Sequence, residues 1–274
     1  MNCNDVDRAL SAESQLPPQA QDHVGSCNRC KELIRALDTP IPVDPPSPAT
    51  LRKIAEGIAT NLRPVRPMAP ARYFFGAFVV IFACIVVLGV YRMGACAIAV
   101  MTPLQTVAML SALVISAGLL AYSLVLQMVP GSRHMIPPRF LPVGITIALT
   151  IAIVVLFQFQ HERNFWRNGW ACIRAGIPLG VLAAVPFWLL LRRGAVLSPS
   201  ITGAATGLLA GLVGTSVLEI HCPNLDAWHI LVSHLGVAIL CTLIGLVTGL
   251  TIEVIGGRLV HRSNKEYRTP SAPL

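Results

Sequence analysis

Between residues 73 and 256 the sequence breaks into six apolar segments, approximately Tyr73–Tyr91, Thr106–Met128, Phe140–Phe157, Cys172–Leu191, Pro199–Ile220 and Ile230–Ile255. Each has at least 18 residues, enough for a helix to cross ~30 Å of hydrocarbon. A chain in lipid must satisfy its own backbone hydrogen bonds, so helices are the natural solution. A soluble helix keeps a polar face, which these segments mostly lack. Only 12% of the chain is charged and 54% is hydrophobic, against ~25% charged in average globular domains. The expected fold class is all-α, a polytopic membrane protein with six transmembrane helices and a small helical N-terminal domain. The divisions follow as 1–38, the helical domain; 39–72, a linker, an amphipathic helix and a tether; 73–256, the transmembrane domain; and 257–274, a basic tail.

Net charge is +8, but its distribution says more than its size. The first 71 residues carry eight Lys/Arg and eight Asp/Glu, a neutral segment unsuited to gripping nucleic-acid phosphates. No apolar run near the start reads as a cleavable signal peptide, so the N-terminus is expected to stay in the cytoplasm. The inside loops are then 129–139, with Arg133 and Arg139, and 192–198, with Arg192 and Arg193. The tail adds Arg258, Arg262, Lys265 and Arg268, while the outside loops hold Arg92, Arg163 and Arg167. Basic residues favour the cytoplasmic side, which places both termini inside. Trp166, Trp170 and Trp228 fall at the outer boundary, where amphipathic aromatic rings are favoured.

Residues 1–38 read as three short helices, Asp5–Ala12, one from Pro17 and Pro18 to about Val24 closed by Gly25, and Cys27–Leu37. So small a unit buries too little to stand on its core alone. His23, Cys27 and Cys30 spell H-x-x-x-C-x-x-C, which converges on one side of a helix-like turn. Imidazole and thiolates are zinc ligands, and tetrahedral zinc needs a fourth. Cys3 is the nominee, with Asp5, Asp7 and Asp22 as alternatives. In a reducing cytoplasm a metal suits these thiols better than a disulfide. Pro40, Pro42, Pro45, Pro46 and Pro48 make an extended linker. Ser47 caps a following helix, with Pro48 at its first position. Leu51, Ile54, Ile58 and Leu62 form one narrow apolar stripe on it, suited to a partner's groove or equally to packing on its own domain or lying on the bilayer.

Within the membrane, Gly203, Gly207, Gly211 and Gly214 let the fifth span approach its neighbours closely. Cys84 and Cys241 read as small apolar fillers. Glu219 and Glu253 are placed to reach an interface, and His234 to face the bundle interior. At the outer face Cys172 opens the fourth span and Cys222 closes the fifth, at equal depth, with Cys96, His161, His221 and His229 near the same plane. Thiols on an oxidising face form disulfides or bind soft metals.

Two resemblances join these observations. H-x-x-x-C-x-x-C behind a first helix bearing Cys3 resembles the zinc-containing anti-sigma domain of bacteria over about residues 1–62. That resemblance implies one zinc ion and a grip on an extracytoplasmic-function sigma factor. Ala171–Gly180 (ACIRAGIPLG), Leu191-Arg192-Arg193-Gly194-Ala195, the Gly-rich fifth span ending in His221-Cys222-Pro223, and Trp228-His229 together resemble the NrsF family over about residues 60–256. Those are six-span bacterial anti-sigma proteins with one Cys near the start of the fourth span and one after the fifth. Cys172 and Cys222 fall on that pair, which the family implicates in sensing oxidants or heavy metals. A zinc-type N-terminus departs from the family's pattern.

The reading that follows is a non-enzymatic anti-sigma factor of the bacterial inner membrane. It sequesters its sigma factor through the N-terminus and releases it when the outer cysteines meet a signal. It touches lipid and sigma factor, and no nucleic acid directly. A transporter or channel would need polar residues and broken helices near the midplane, and few are visible. A membrane thiol oxidoreductase would need a Cys-x-x-Cys on the outer side or a cofactor motif, and neither is present.

Overall fold

The computed structural model describes residues 3–11, 17–38, 46–61, 69–129, 131–132, 136–160 and 165–268, with the backbone alone at 8, 9, 11, 61 and 256–268. The chain divides into two units, Met1–Arg66 and Pro67–Leu274.

The first unit holds α1 (Cys3–Ser11), α2 (Pro18–Ser26), α3 (Asn28–Asp38) and α4 (Pro48–Asn61). Pro18 sits in the first turn of α2, where its missing N–H costs nothing. Gly25 does not close that helix; the chain leaves helical geometry at Cys27, whose N–H still bonds the His23 carbonyl at 2.9 Å. Val6, Ala20 and Cys30 are its buried core, with Cys3, Leu10, Val24 and Cys27 packed around them. At α4 the Ser47 hydroxyl accepts from the Thr50 N–H at 3.2 Å, an N-cap bond. Leu51, Ile54 and Ile58 are 52%, 52% and 56% exposed. Leu62 and residues 39–45 of the linker lie outside the described residues.

The second unit is a helical bundle of α5 (Ala71–Met93), α6 (Pro103–Met128), α7 (Leu141–Leu156), α8 (Phe165–Leu191), α9 (Pro199–His221), the single turn α10 (Ala227–His229), a π turn (Ile230–Leu235) and α11 (Gly236–Arg268). Among the described residues five apolar stretches reach spanning length: α5, α6, α8, α9 and the run Ala227–Ile255. The expected third span appears as α7, shorter at 16 residues, ~24 Å of helix. Apolar side chains such as Val80, Val87, Ile151, Val155, Val181, Leu243 and Val247 cover the outside of the bundle. An apolar surface on that scale belongs in lipid.

Successive helices alternate in direction. At one end the His221 ring meets the Gly94 carbonyl at 3.3 Å, and Gln105 Nε2 donates to the Leu156 carbonyl at 2.8 Å. At that end the Ala227 N–H also donates to the Gln158 carbonyl at 2.9 Å. At the other end the Ala195 N–H donates to the Met128 carbonyl at 3.0 Å. There Ser200 donates from N and Oγ to Glu253 Oε1 at 3.0 and 2.8 Å. Glu253 therefore neutralises the first turn of α9.

The helix α9 is the centre, with 89% of its most apolar window buried. It packs on α5, α6, α8 and α11. Against α11 the contact is backbone on backbone: a methyl at Gly207 would strike the Cys241 carbonyl, and one at Gly203 the Gly245 carbonyl. That is the close approach small residues permit between spans. Elsewhere Phe78 of α5 packs on Phe187 of α8, ring centroids 5.5 Å apart, among Leu120, Leu149, Leu208 and Leu212.

Candidate functional site

The N-terminal cluster is made where three helices meet. Cys3 opens α1, His23 lies in the last turn of α2, Cys27 is the break between α2 and α3, and Cys30 lies in the first turn of α3. One ligand atom from each falls within 4.8 Å of all the others. Cys3 Sγ stands 3.6 Å from His23 Nε2 and 3.7 Å from Cys27 Sγ. A tetrahedral zinc ion with bonds of ~2.3 Å to sulfur and ~2.0–2.1 Å to nitrogen separates its ligands by roughly 3.3–3.8 Å. Three sulfurs and one imidazole nitrogen at such spacing fit that ion. Of the sequence alternatives for the fourth corner, Asp7 instead pairs with Arg29 at 3.5 Å. The backbone of Cys30, and next the Cys3 side chain, hold the Cys27 thiol below its ordinary pKa. Burial pushes the Cys30 thiol up to about 11.

The second cluster lies at one end of the bundle. Cys172 sits two turns inside α8, because that helix starts earlier than its apolar run, at Phe165. Cys222 caps the C-terminus of α9, donating its N–H to the Leu218 carbonyl at 2.8 Å. The two sulfurs are 3.6 Å apart. His229 Nε2 is 3.5 Å from each. Asp226 caps the turn that carries that histidine, its carboxylate accepting from the His229 backbone N–H at 3.0 Å and, through its other oxygen, from the Gln160 backbone N–H at 2.6 Å. His234 completes a group whose ligand atoms all lie within 4.8 Å of one another.

Span placement puts Cys172, Cys222 and His229 at one depth and the family resemblance pairs the two cysteines, but neither reaches His234. Five residues separate it from His229, which on an α-helix points the two to different sides. The π turn, whose hydrogen bonds run i to i+5, brings them together instead, edge to face, with ring centroids 5.3 Å apart. The Thr215 hydroxyl donates to the His234 carbonyl at 2.9 Å, satisfying backbone that this wider turn loosens. Glu219, expected to reach an interface, is instead 2% exposed, with Oε1 3.0 Å from His234 Nδ1. A partner one helix away holds it inside. Cys96 is exposed and outside the cluster, His221 turns to Gly94, and His161 lies outside the described residues. Cys241 is buried, whereas Cys84 is exposed on the bundle surface.

Fold and clusters together define a polytopic helical membrane protein with two thiol–imidazole groups, each able to hold a metal ion. The model of the NrsF family, negative regulator of sigma F, matches residues 58–252, and the chain belongs to that family. The matched region takes in the bundle and the second cluster, whereas the N-terminal cluster precedes it. Neither the curated proteins nor the solved structures give a match.

Proposed function

We propose that this chain is an anti-sigma factor of the bacterial inner membrane, with both termini cytoplasmic, that holds an extracytoplasmic-function sigma factor until an envelope signal arrives. The observation that carries this reading is membership of a family of negative regulators of a sigma factor across the bundle. Zinc held by Cys3, His23, Cys27 and Cys30 would serve as a structural staple for the N-terminal unit, whose buried core among the described residues is three side chains. The exposed stripe of Leu51, Ile54 and Ile58, continued in sequence by Leu62, is the docking face. Cys172 and Cys222 are the sensor thiols for oxidant or heavy metal, placed at the outer face by the distribution of basic residues.

The test is affinity purification of the tagged full-length protein from its native membrane, with identification of any co-purifying sigma factor. A stoichiometric sigma factor, lost from an Ile54→Glu/Ile58→Glu variant that still inserts, supports the reading. Recovery of the wild-type protein without one, together with unchanged sigma-dependent transcription on deletion of the gene, defeats it.

A further inference from the structure

At the end of the bundle that carries Cys172, the two sensor thiols account for only half of a four-cornered arrangement. The distances among Cys172 Sγ, Cys222 Sγ and His229 Nε2 are 3.6, 3.5 and 3.5 Å. Those are edges of a tetrahedron around an ion bonded at ~2.0–2.3 Å. The fourth corner is His234, 1% exposed. Its Nδ1 is engaged by Glu219, while its Nε2 is buried with no hydrogen-bond partner among the described residues. An imidazole anchored on a carboxylate through one nitrogen, with the other left bare, is the arrangement that orients a metal ligand.

A disulfide would use the sulfurs and leave two adjoining buried imidazoles and a buried carboxylate with no role. A divalent ion uses all of them. Two thiolates and the Glu219 carboxylate carry three negative charges into an apolar bundle, and a dication offsets two. Thiolate and imidazole together select a d10 ion of borderline softness over a hard, oxygen-seeking one. Four protein ligands leave no open position for a reacting water.

We infer that Cys172, Cys222, His229 and His234 form a second metal centre, a closed tetrahedral site for Zn2+, with Glu219 as the acceptor that positions His234. The inference deepens the reading of Cys172 and Cys222 as the switch and rests on that reading for its consequence. One ion would tie α8 to the end of α9 and to the π turn that leads into α11, so its loss or its exchange for a softer ion would act on three elements at once.

The test uses the full chain in detergent under reducing conditions, with Cys27→Ser and Cys30→Ser to silence the N-terminal cluster, titrated with Co2+ alone and then Zn2+. Expected are one ion per chain, thiolate-to-cobalt charge transfer with tetrahedral d–d bands, and a shell of two sulfurs and two nitrogens by X-ray absorption. Adding Glu219→Gln should weaken binding by about 10–100-fold without loss of helix. Absence of any bound ion in protein of unchanged helical content, a shell lacking nitrogen, or isolation of a Cys172–Cys222 disulfide as the sole form each overturns the inference. Should the silenced chain not fold, the metal content of the unsubstituted chain decides: two ions falling to one in Cys172→Ser/Cys222→Ser supports the site, and an unaltered content overturns it. Sigma-factor capture is scored on the unsubstituted chain and on Cys172→Ser/Cys222→Ser, in both of which the N-terminal cluster is intact. Metal without capture leaves the centre standing and removes the anti-sigma reading, and capture without metal does the reverse.

Discussion

Cys30 is 1% exposed and belongs to a core whose other buried members are Val6 and Ala20. A thiol in that position is both ligand and core. Cys30→Ser keeps the size and removes the metal bond, so it separates the two roles. The expected outcome in the full chain is loss of one zinc ion and unfolding of α1 to α3, since structural zinc contributes ~10–16 kcal/mol in small domains. Metal analysis with limited proteolysis checks it: cleavage should appear within residues 3–38 while the bundle stays intact. A protease-resistant, metal-free N-terminus would show that the staple lies elsewhere. The first cluster was legible in the sequence because its ligands follow a local spacing. The second was legible at Cys172 and Cys222 and, as a neighbour in the same plane, at His229. Glu219 and His234 looked unrelated, since a buried acid is recognised by its partner and that partner is on another element.

Among the elements, α4 and α9 bury opposite fractions of themselves. The apolar stripe of α4 is more than half exposed at Leu51, Ile54 and Ile58. If it docks in a sigma factor, each central isoleucine should behave as an interface anchor worth about 2 kcal/mol or more. Ile54→Glu and Ile58→Glu together are then expected to weaken binding at least several hundred-fold, measured by titration with the purified sigma factor, and to raise its transcription in cells. In α9, Gly207 rests on the Cys241 carbonyl of α11. Gly207→Ala must push two backbones apart, and overpacking of this kind costs about 1–3 kcal/mol or more. A lowered midpoint of thermal unfolding in micelles would report it, whereas Gly118→Ala, with open space around it, should be silent. Apolar run length was enough to find the spans of α5, α6 and α9 nearly to their ends. It missed the first two turns of α8, where Trp166, Arg167 and Asn168 interrupt the hydropathy, and the π turn, which has no period of its own in the sequence.

For the whole molecule, the prediction concerns signalling. Cys172→Ser and Cys222→Ser are each expected to leave resting sequestration intact and to block sigma release under oxidant or soft-metal stress, read from a sigma-dependent reporter. A ligand-driven change must favour one arrangement of the helices over another, and these sulfurs are where α8 and α9 meet. A double mutant that answers every such stress normally would place the switch elsewhere. The π turn has a separate consequence, for chain length. Deleting one residue between His229 and Gly236 would let α10 run straight into α11 as a continuous α-helix. Everything beyond would rotate by ~100° and shift by ~1.5 Å, and Gly245 would leave its seat against Gly203. Substitutions at the lipid-facing Leu243 or Val247 carry no such penalty. Descendants of this chain are therefore free to drift in composition along α11 but not in residue count at the turn that opens it.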